Sequence, residues 1–276
     1  MFFLNKQSRS FIAAATLAFV CTLSFPSQAN NKWWNGSFWV WDVTTTLNLT
    51  SNFSGVVRML ADNSTLNMNG FDITGPGNNI GISVVGYDYV TINGDGGEVT
   101  NITTGIYVVG SDYCTMDEVS VDAFNIGIQV QDSYNPVIQD CEGYADTYMA
   151  AYIADASHQA RIFDNYFHNC GRSGVWVEYS NYASVNRNKL MGNYFDGITT
   201  YQTTGSFMDS DTCLLNGYGL ANNYRHGIGL FNSTSPTVWG CRLLQNSCYG
   251  IYQQSSTGIT LSSNYFYANG CGDKNF

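Results

Sequence analysis

Ser173-Gly174-Val175-Trp176-Val177-Glu178 sets a pattern that returns along the chain at a nearly constant spacing. Counting from Gly174, an apolar residue follows eleven places later at Val185 and an asparagine three places after that at Asn188. The pattern restarts at Gly197, so one repeat is 23 residues long. Repeats of this length are typical of solenoids, in which each coil stacks on the one before it.

The same spacing extends over most of the chain and predicts about nine coils. The repeats start at Gly55, Gly81, Gly105, Gly127, Ala150, Gly174, Gly197, Gly227 and Gly250. The eleventh place after each start is apolar, with a one-residue slip in the coil from Ala150: Leu66, Ile92, Met116, Ile138, Ile162, Val185, Met208, Val238 and Leu261. Three places further on, small polar residues dominate, as expected at a sharp turn.

The residues after each start alternate between apolar and other side chains, which is the pattern of a β-strand with one buried face. Val175 and Val177 would point inward, as would Ile228 and Leu230. Stacked coils place each strand beside its counterparts above and below, which gives parallel sheets with edges only at the two ends. The sequence therefore predicts an all-β fold built from coils of three short strands.

Specific motifs resemble one family of such proteins. The motifs are the run Thr65-Leu66-Asn67-Met68-Asn69-Gly70 and Asn-aromatic third strands such as Asn165-Tyr166-Phe167. They resemble the right-handed parallel β-helix repeat proteins of the pectin-lyase-like superfamily, over residues 55 to 272. The similarity is greatest to the branch with carbohydrate-binding and sugar-hydrolase repeats, which includes periplasmic accessory proteins of nitrous oxide reductase. The resemblance implies the fold but no single activity, because this superfamily holds enzymes, adhesins and proteins without a reaction.

The chain divides into three segments. Residues 1–29 have the pattern of a secretory signal peptide, with Lys6 and Arg9 before an apolar run and a small-residue exit at Ser27-Gln28-Ala29. Residues 30–54 are rich in tryptophan and are predicted to cap the first coil. Residues 55–276 are predicted to form the β-helix. The signal predicts a secreted or periplasmic protein, and no later apolar run is long enough to span a bilayer.

Composition argues against several partners. The formal net charge is −10, and removal of the signal makes it more negative, whereas nucleic-acid binding needs a basic face. Three histidines without paired Cys or His spacing predict no transition-metal site. The acidity leaves Ca²⁺ open, but no calcium-binding motif supports it. We therefore expect no cofactor.

Two of the cysteines fall one repeat apart. Cys248 and Cys271 are separated by 23 residues, so they would lie on adjacent coils at a distance that suits a disulfide. The remaining cysteines of the mature chain are an odd number, and burial as small apolar residues accounts for them.

Aromatic residues recur at places that would face outward from the first sheet: Tyr152, Trp176, Tyr201, Phe231 and Tyr252. Sugar rings stack on aromatic faces, and exposed apolar patches often mark binding sites. These side chains, with Arg172, are predicted to bind substrate. The alternative is a ladder of aromatic residues that only stiffens the sheet.

Ionisable residues gather beside the same strands: Asp196, His226, Arg225, Glu178 and Arg172. Asp196 and His226 precede successive repeat starts, and a carboxylate beside a histidine can prepare it as a general base. His226 or Tyr201 could move the C5 proton of a uronate while Arg225 or Arg172 neutralises its carboxylate, or Glu178 and Asp196 could hydrolyse a glycoside. The alternative is that these residues form a solvent-exposed cluster whose only role is to hold the neighbouring loop in place. The catalytic signatures of mannuronan epimerases and pectate lyases are absent.

The functional hypothesis is binding of an extended polysaccharide along the first sheet, with lyase, epimerase or hydrolase activity left open. The binding surface would border a longer insertion between Asp211 and Gly227. The alternative is a non-catalytic surface, adhesion or assembly protein in which the β-helix is a spacer. In that case the C-terminal end, where no cap is evident, would dock on a protein partner or a second copy.

Overall fold

A computed structural model describes residues 30–218 and 225–276. These residues form a parallel β-helix and contain no helix. Each coil contributes three short strands, and the second strands make a ten-stranded sheet, so there are ten coils. The first and third strands belong to one 20-stranded sheet, because in two coils a third strand runs without interruption into the next first strand. The all-β solenoid predicted from the repeat is confirmed.

The strands fall into three rows by their place in the coil. The first strands are β2 (Trp39–Val43), β5 (Val56–Met59), β8 (Ile80–Val85), β15 (Ala151–Ala154), β18 (Val175–Glu178), β21 (Ile198–Tyr201), β24 (Ile228–Phe231), β27 (Tyr249–Gln254) and β30 (Gly272–Asn275). The second strands are β3 (Thr46–Asn48), β6 (Thr65–Asn67), β9 (Thr91–Asn93), β11 (Thr115–Asp117), β13 (Val137–Gln139), β16 (Arg161–Phe163), β19 (Ser184–Asn186), β22 (Phe207–Asp209), β25 (Thr237–Trp239) and β28 (Thr260–Ser262).

The third strands are mostly two to four residues long: β4 (Phe53–Ser54), β7 (Ile73–Thr74), β14 (Glu142–Ala145), β17 (Tyr166–His168), β20 (Lys189–Met191), β23 (Thr212–Leu214), β26 (Arg242–Leu244) and β29 (Tyr265–Tyr267). The two continuous strands are β10 (Glu98–Val109) and β12 (Ser120–Gln131), each of which serves as a third strand and then as a first strand. Every one of these pairings between coils is parallel.

The first coil begins at Trp39, within the segment that the sequence analysis assigns to a cap. β2 pairs in parallel with β5, and β3 pairs in parallel with β6. Ahead of them, β1 (Asn31–Trp34) pairs with β2 in antiparallel orientation. The hairpin of β1 and β2 thus covers the N-terminal edge of the first sheet, where open backbone groups would otherwise face solvent.

The core is a column of apolar side chains that point inward from all three rows. The apolar places of the second strands are buried from Leu66 to Val238, and only Leu261 in the last of them is half-buried. This follows from the repeat, since each side chain is covered by its equivalents in the coils above and below. Burial of such a column is the main stabilising contribution expected for a solenoid.

Polar ladders run through the interior at the corners between strands. The Asn165 side chain donates to Asn188 Oδ1 at 2.9 Å, and Asn188 donates in turn to Asp211 Oδ1 at 2.9 Å. A second ladder joins Asn193, Asn216, Asn246 and Asn269. The asparagine side chains Asn165, Asn188, Asn193, Asn216, Asn246 and Asn269 each also donate a hydrogen bond to a backbone carbonyl of the preceding coil, which offsets the cost of burying them.

The structure contains the disulfide between Cys248 and Cys271, whose Cα atoms are 4.3 Å apart on adjacent coils. The other cysteines in the described part of the chain, Cys114, Cys141, Cys170, Cys213 and Cys241, are free and buried. Within residues 30–218 and 225–276, no helix has the length and apolarity that crossing a membrane requires.

Candidate functional site

A cleft of about 350 Å³ lies on the outer face of the first sheet. Its floor comes from Gln129, Tyr152 and Trp176, which are direct neighbours on β12, β15 and β18. The opposite side comes from residues just before the first strands, including Tyr148 and Arg172. The strict stacking of coils therefore brings together residues that are far apart in the sequence.

Glu178 fixes the two aromatic residues of the cleft. Its Oε2 accepts a hydrogen bond from Trp176 Nε1 at 3.0 Å, and its Oε1 accepts one from the Tyr152 hydroxyl. Burial, the hydrogen bond to Glu178 and its negative charge raise the pKa of Tyr152. The Tyr152 hydroxyl therefore stays protonated at neutral pH and donates to the carboxylate.

Arg172 supplies positive charge to the cleft. Its guanidinium lies over the Tyr148 ring, 4.6 Å from the centroid, and 5.7 Å from the centroid of Phe195. The ion pairs within the described residues are Arg58–Asp42, His168–Glu142 and Arg187–Asp164, and none involves Arg172. A guanidinium held by aromatic faces rather than by a carboxylate keeps its charge for an anionic ligand.

Asp196 and His226 lie elsewhere, which corrects the expectation of an ionisable cluster on an exposed rim. Both side chains are almost fully buried. Asp196 Oδ1 accepts the His226 backbone N–H at 2.8 Å, and Oδ2 accepts the Thr199 hydroxyl at 2.9 Å. Burial raises the pKa of Asp196 to about 8. Because the Asp196 carboxyl is closed off from solvent, it cannot form with Glu178 the pair of accessible carboxyl groups that a glycoside hydrolase needs and that the sequence suggested.

The His226 ring is part of an aromatic stack. It lies parallel to the Tyr252 ring at 4.4 Å between centroids, and its Nδ1 accepts the Tyr249 backbone N–H at 3.2 Å. Phe231 lies 5.7 Å from Tyr252. Since Nδ1 is an acceptor here, the ring is oriented as the Nε2–H tautomer. These contacts tie the histidine to the next coil.

The exposed aromatic surface is smaller than the sequence predicts. Trp176 is 8% exposed and Phe231 is 3% exposed, whereas Tyr152, Tyr201 and Tyr252 are half-buried. Phe231 packs against the Tyr252 ring of the next coil, and Trp176 is hydrogen-bonded to Glu178 of its own strand. Only Tyr152 and Trp176, of the predicted aromatic row, line the cleft.

Tyr201 and Arg225 lie outside the cleft. Tyr201 pairs with Glu178 in the strand register and packs edge-on against Tyr179 at 5.7 Å. The Arg225 carbonyl accepts the Cys248 backbone N–H, and its backbone packs closely against Gly217. Much of the insertion that was predicted to wall the binding surface, residues 219–224, lies outside the described residues.

A second cavity of about 500 Å³ lies beside the N-terminal hairpin. Trp33, Phe38, Arg58, Asn79 and Thr104 are among its lining residues. Arg58 is not among the predicted site residues, because a strict count from Gly55 places Val57 and Met59 on the outer face, whereas both are fully buried. The repeat is offset by one residue in this coil, and the signal for it was available: Val57 and Met59 are apolar while Arg58 between them is charged.

Sequence reasoning also missed the residues that precede the strands, such as Asn125 and Tyr148 in the cleft. They occupy the same position in the repeat, two residues before each repeat start. Arg172 stands at that position too, so the period of the repeat was a signal that could have identified all three. No group of three or more His, Cys, Asp or Glu side chains that could hold a metal ion is present among the residues described.

Comparison with known proteins identifies the family of the fold. The family model described as "Right handed beta helix region" matches residues 54–212 and 150–276. No match was found among curated proteins. Among solved structures, the A-module of mannuronan C-5 epimerase AlgE4 from Azotobacter vinelandii is similar with a TM-score of 0.54 at 12% identity, covering 86% of this chain and 78% of that one.

Two further solved structures share the fold. An alginate lyase from Paenibacillus sp. has a TM-score of 0.54 at 13% identity, covering 84% of this chain and 92% of that one. The enzymatically active domain of tailspike protein 2 from bacteriophage CBA120 has a TM-score of 0.62 at 10% identity, covering 80% of this chain and 39% of that one. At these identities the likeness shows a right-handed parallel β-helix, as the sequence resemblance implied, and nothing finer.

Proposed function

This chain belongs to the right-handed β-helix family, and we propose that it binds an extended polysaccharide with acidic sugar units in the cleft of Tyr152, Trp176 and Arg172. The observation that carries the proposal is Arg172, a cation beside an aromatic floor with no ion-pair partner among the described residues. The guanidinium can form charge-assisted hydrogen bonds with a carboxylate, and it provides a local positive charge in a chain whose net charge is negative.

The cleft has the other features of a sugar site. Aromatic rings offer faces or edges for sugar rings, and Gln129 and Asn125 add amide groups for hydroxyls. Glu178 holds both aromatic side chains in place by hydrogen bonds, so little side-chain freedom is lost on binding. The names of the similar structures, a mannuronan epimerase and an alginate lyase, support a polysaccharide as the ligand class.

The proposed test compares uronate oligosaccharides with neutral ones by isothermal titration calorimetry. We expect the protein to prefer the uronates, and Arg172→Gln to weaken their binding by about ten- to a hundredfold, since a charge-assisted hydrogen bond contributes about 1.5–3 kcal/mol. Arg187→Gln is the matched control, because Arg187 is an exposed arginine paired with Asp164 and lies outside the cleft. Equal affinity for neutral chains, or equal losses in the two variants, would contradict the proposal.

Catalysis is a second candidate, and the Tyr152–Glu178 pair favours it. In a bound uronate whose carboxylate contacts Arg172, the C5 proton is acidified. The Tyr152 oxygen can take that proton while the hydroxyl's own proton passes to Glu178 Oε1, to which it is hydrogen-bonded. Lyase activity would give an unsaturated product that absorbs ultraviolet light, and epimerisation would change the proton NMR spectrum. Loss of such a product in Glu178→Gln, with ligand binding retained, would support catalysis; no product from the unaltered protein restricts the function to binding.

We also propose that residues 1–29 direct export. The support is the charge and apolar pattern of that segment and the disulfide at Cys248, since stable disulfides form in oxidising compartments. Sequencing the N-terminus of protein recovered from the expressing cell tests this: a mature chain that starts near Asn30 is expected, and an intact start at Met1 would refute it.

The alternative role, a spacer that docks on a protein partner, is favoured by the last described coil. Leu261 and Phe266 are only partly buried there, and Tyr265 and Tyr267 are exposed. Such exposed apolar groups suit a contact with a second copy of this chain. Light scattering would show a dimer that Tyr265→Ser with Tyr267→Ser disrupts; a monomer at all concentrations would exclude this role.

A further inference from the structure

We propose that the cavity beside the N-terminal hairpin is a second subsite of the same groove, and that it takes an uncharged sugar unit. The inference rests on the proposed function, because it concerns another part of the same ligand. It assigns a role to the hairpin of β1 and β2, which otherwise only covers the edge of the first sheet. Trp33, Phe38 and Arg58 are the residues that carry it.

The two cavities are parts of one groove. Thr104 lines both of them. The floor is continuous between them, because Arg58 pairs with Ser83, Ser83 with Tyr107, Tyr107 with Gln129, and Gln129 with Tyr152 in the strand register. From β2 to β18 the groove crosses seven coils, which is about 29 Å at the usual spacing of strands. A ligand in the Tyr152 cleft that extends along the axis therefore reaches the hairpin.

The wall of the groove is continuous as well. Asn79, Thr103, Asn125 and Tyr148 occupy the same place in successive coils, two residues before the repeat start, and all of them line one of the two cavities. Three of the four carry short amide or hydroxyl side chains. Such groups exchange hydrogen bonds with sugar hydroxyls and favour neither charge.

The charge balance of the hairpin cavity differs from that of the cleft. Arg58 is held by Asp42 through two hydrogen bonds of 2.6 and 2.8 Å, and Trp33 Nε1 donates to the same carboxylate at 2.9 Å. The Arg58 charge is therefore neutralised, whereas Arg172 is not paired within the described residues. A planar, neutral pair beside an indole suits hydroxyl groups and a sugar face rather than a carboxylate.

The fixed geometry of the cavity supports a built site. Asp42 orients both Trp33 and Arg58, and Asn35 Oδ1 accepts the backbone N–H groups of Ser37 and Phe38 to close the turn of the hairpin. Side chains that are already held in place lose little entropy when a ligand binds. The cavity of about 500 Å³ is also the larger of the two.

The test measures affinity against ligand length, with uronate oligosaccharides from the disaccharide upward whose units at one end are uncharged. In the unaltered protein we expect affinity to rise with length and to level off for chains that span about 29 Å. Trp33→Ala should lower the affinity of long chains about tenfold and leave short chains unaffected, since one sugar contact with an aromatic ring contributes on this scale. The affinity should then level off at a shorter length.

Trp34→Ala is the matched control. Trp34 is the next residue on the same strand, 52% exposed, and packs against Trp39 rather than into the cavity. A second variant, Ser83→Tyr, blocks the floor without altering the hairpin, and Tyr107 shows that the adjacent coil accommodates tyrosine at this place. It should reproduce the loss for long chains even if Trp33→Ala disturbs the hairpin.

The outcomes separate this inference from the proposed function. Long chains that bind Ser83→Tyr and Trp33→Ala as tightly as the unaltered protein would overturn the subsite, while binding that still depends on Arg172 would leave the proposed function standing. A loss in Trp34→Ala equal to that in Trp33→Ala, or tighter binding when the terminal unit is charged, would also overturn it. If no oligosaccharide binds the unaltered protein, both proposals fall.

Discussion

Single residues at the corners of the coils adopt backbone angles that most side chains avoid. Asn169, Gly192 and Leu215 occupy the same corner in successive coils, with φ values of 52°, 64° and 57°. Glycine and asparagine tolerate this left-handed region, whereas leucine does not, because its Cβ approaches the following carbonyl oxygen. Asn169 and Gly192 therefore suit the left-handed backbone at this corner, whereas Leu215 adopts it under strain.

Replacing Leu215 should therefore stabilise the protein. Leu215 is 50% exposed, so Leu215→Asn gives up little apolar burial, and we expect the free energy of unfolding to rise by about 1 kcal/mol. Urea unfolding followed by tryptophan fluorescence measures this change. The reverse substitution, Asn169→Leu, should lower stability by a similar amount; a destabilising Leu215→Asn would show that leucine packing outweighs backbone strain.

At the scale of the elements, the asparagine ladder between the second and third strands contains one misfit. Asn165, Asn188 and Asn264 each donate a side-chain hydrogen bond of 2.8–3.0 Å to a backbone carbonyl of the preceding coil. Asp211 stands in the same row, where its Oδ2 is buried and finds no hydrogen-bond partner among the described residues. Burial raises the pKa of Asp211 well above its usual value, so the carboxyl is driven towards its protonated form.

Asp211→Asn should complete the ladder, because an amide donates at any pH, whereas the Asp211 carboxyl must first take up a proton, which costs free energy at neutral pH. We expect the free energy of unfolding at neutral pH to rise by about 1–3 kcal/mol, the cost of an unsatisfied buried polar group. Asn165→Asp is the matched control and should lower stability. No gain from Asp211→Asn at neutral pH would contradict this account of the ladder.

The pH dependence follows from the raised pKa of Asp211. The Asp211 carboxyl binds its proton more tightly in the folded protein than in the unfolded chain. The protonated carboxyl therefore contributes its full stabilisation below the ordinary pKa of 3.8. That contribution is lost as the pH rises from there towards the pKa of the folded state. The difference in the free energy of unfolding between Asp211→Asn and the unaltered protein should therefore become smaller as the pH is lowered. Thermal unfolding across this pH range would show it, and a constant difference would speak against titration of Asp211.

At the scale of the whole molecule, each coil contacts only its neighbours, so stability is a sum of local contributions. The disulfide between Cys248 and Cys271 closes a loop of 23 residues in the last described coil. Cross-linking a loop of that size contributes about 3 kcal/mol on chain-entropy grounds. Its effect should be felt in the coils that it joins rather than along the entire solenoid.

Removing the disulfide should loosen the C-terminal coil alone. In Cys248→Ser with Cys271→Ser, we expect faster hydrogen exchange at the backbone amides of β27 and β30, with no change from β5 to β18. Cys114→Ser controls for loss of a sulfur atom, because Cys114 is a free buried cysteine far from this end. Faster exchange along the whole chain would instead show that the solenoid unfolds as one unit.

The repeat in the amino-acid sequence is enough to predict the coil, its period and the residues that share one face of the solenoid. In a solenoid, residues one repeat apart must stack, so the spacing predicts Tyr152 beside Trp176 and Cys248 beside Cys271, as the structure has them. The accessibility of these side chains, by contrast, depends on how the folded chain packs. In the folded protein Asp196 and His226 are buried, and a one-residue offset of the repeat places Arg58 on the outer face. Residues of the hairpin line a cavity beside the same sheet. A period fixes the order of residues along a face, whereas burial depends on how neighbouring coils and the segments between strands pack over that face.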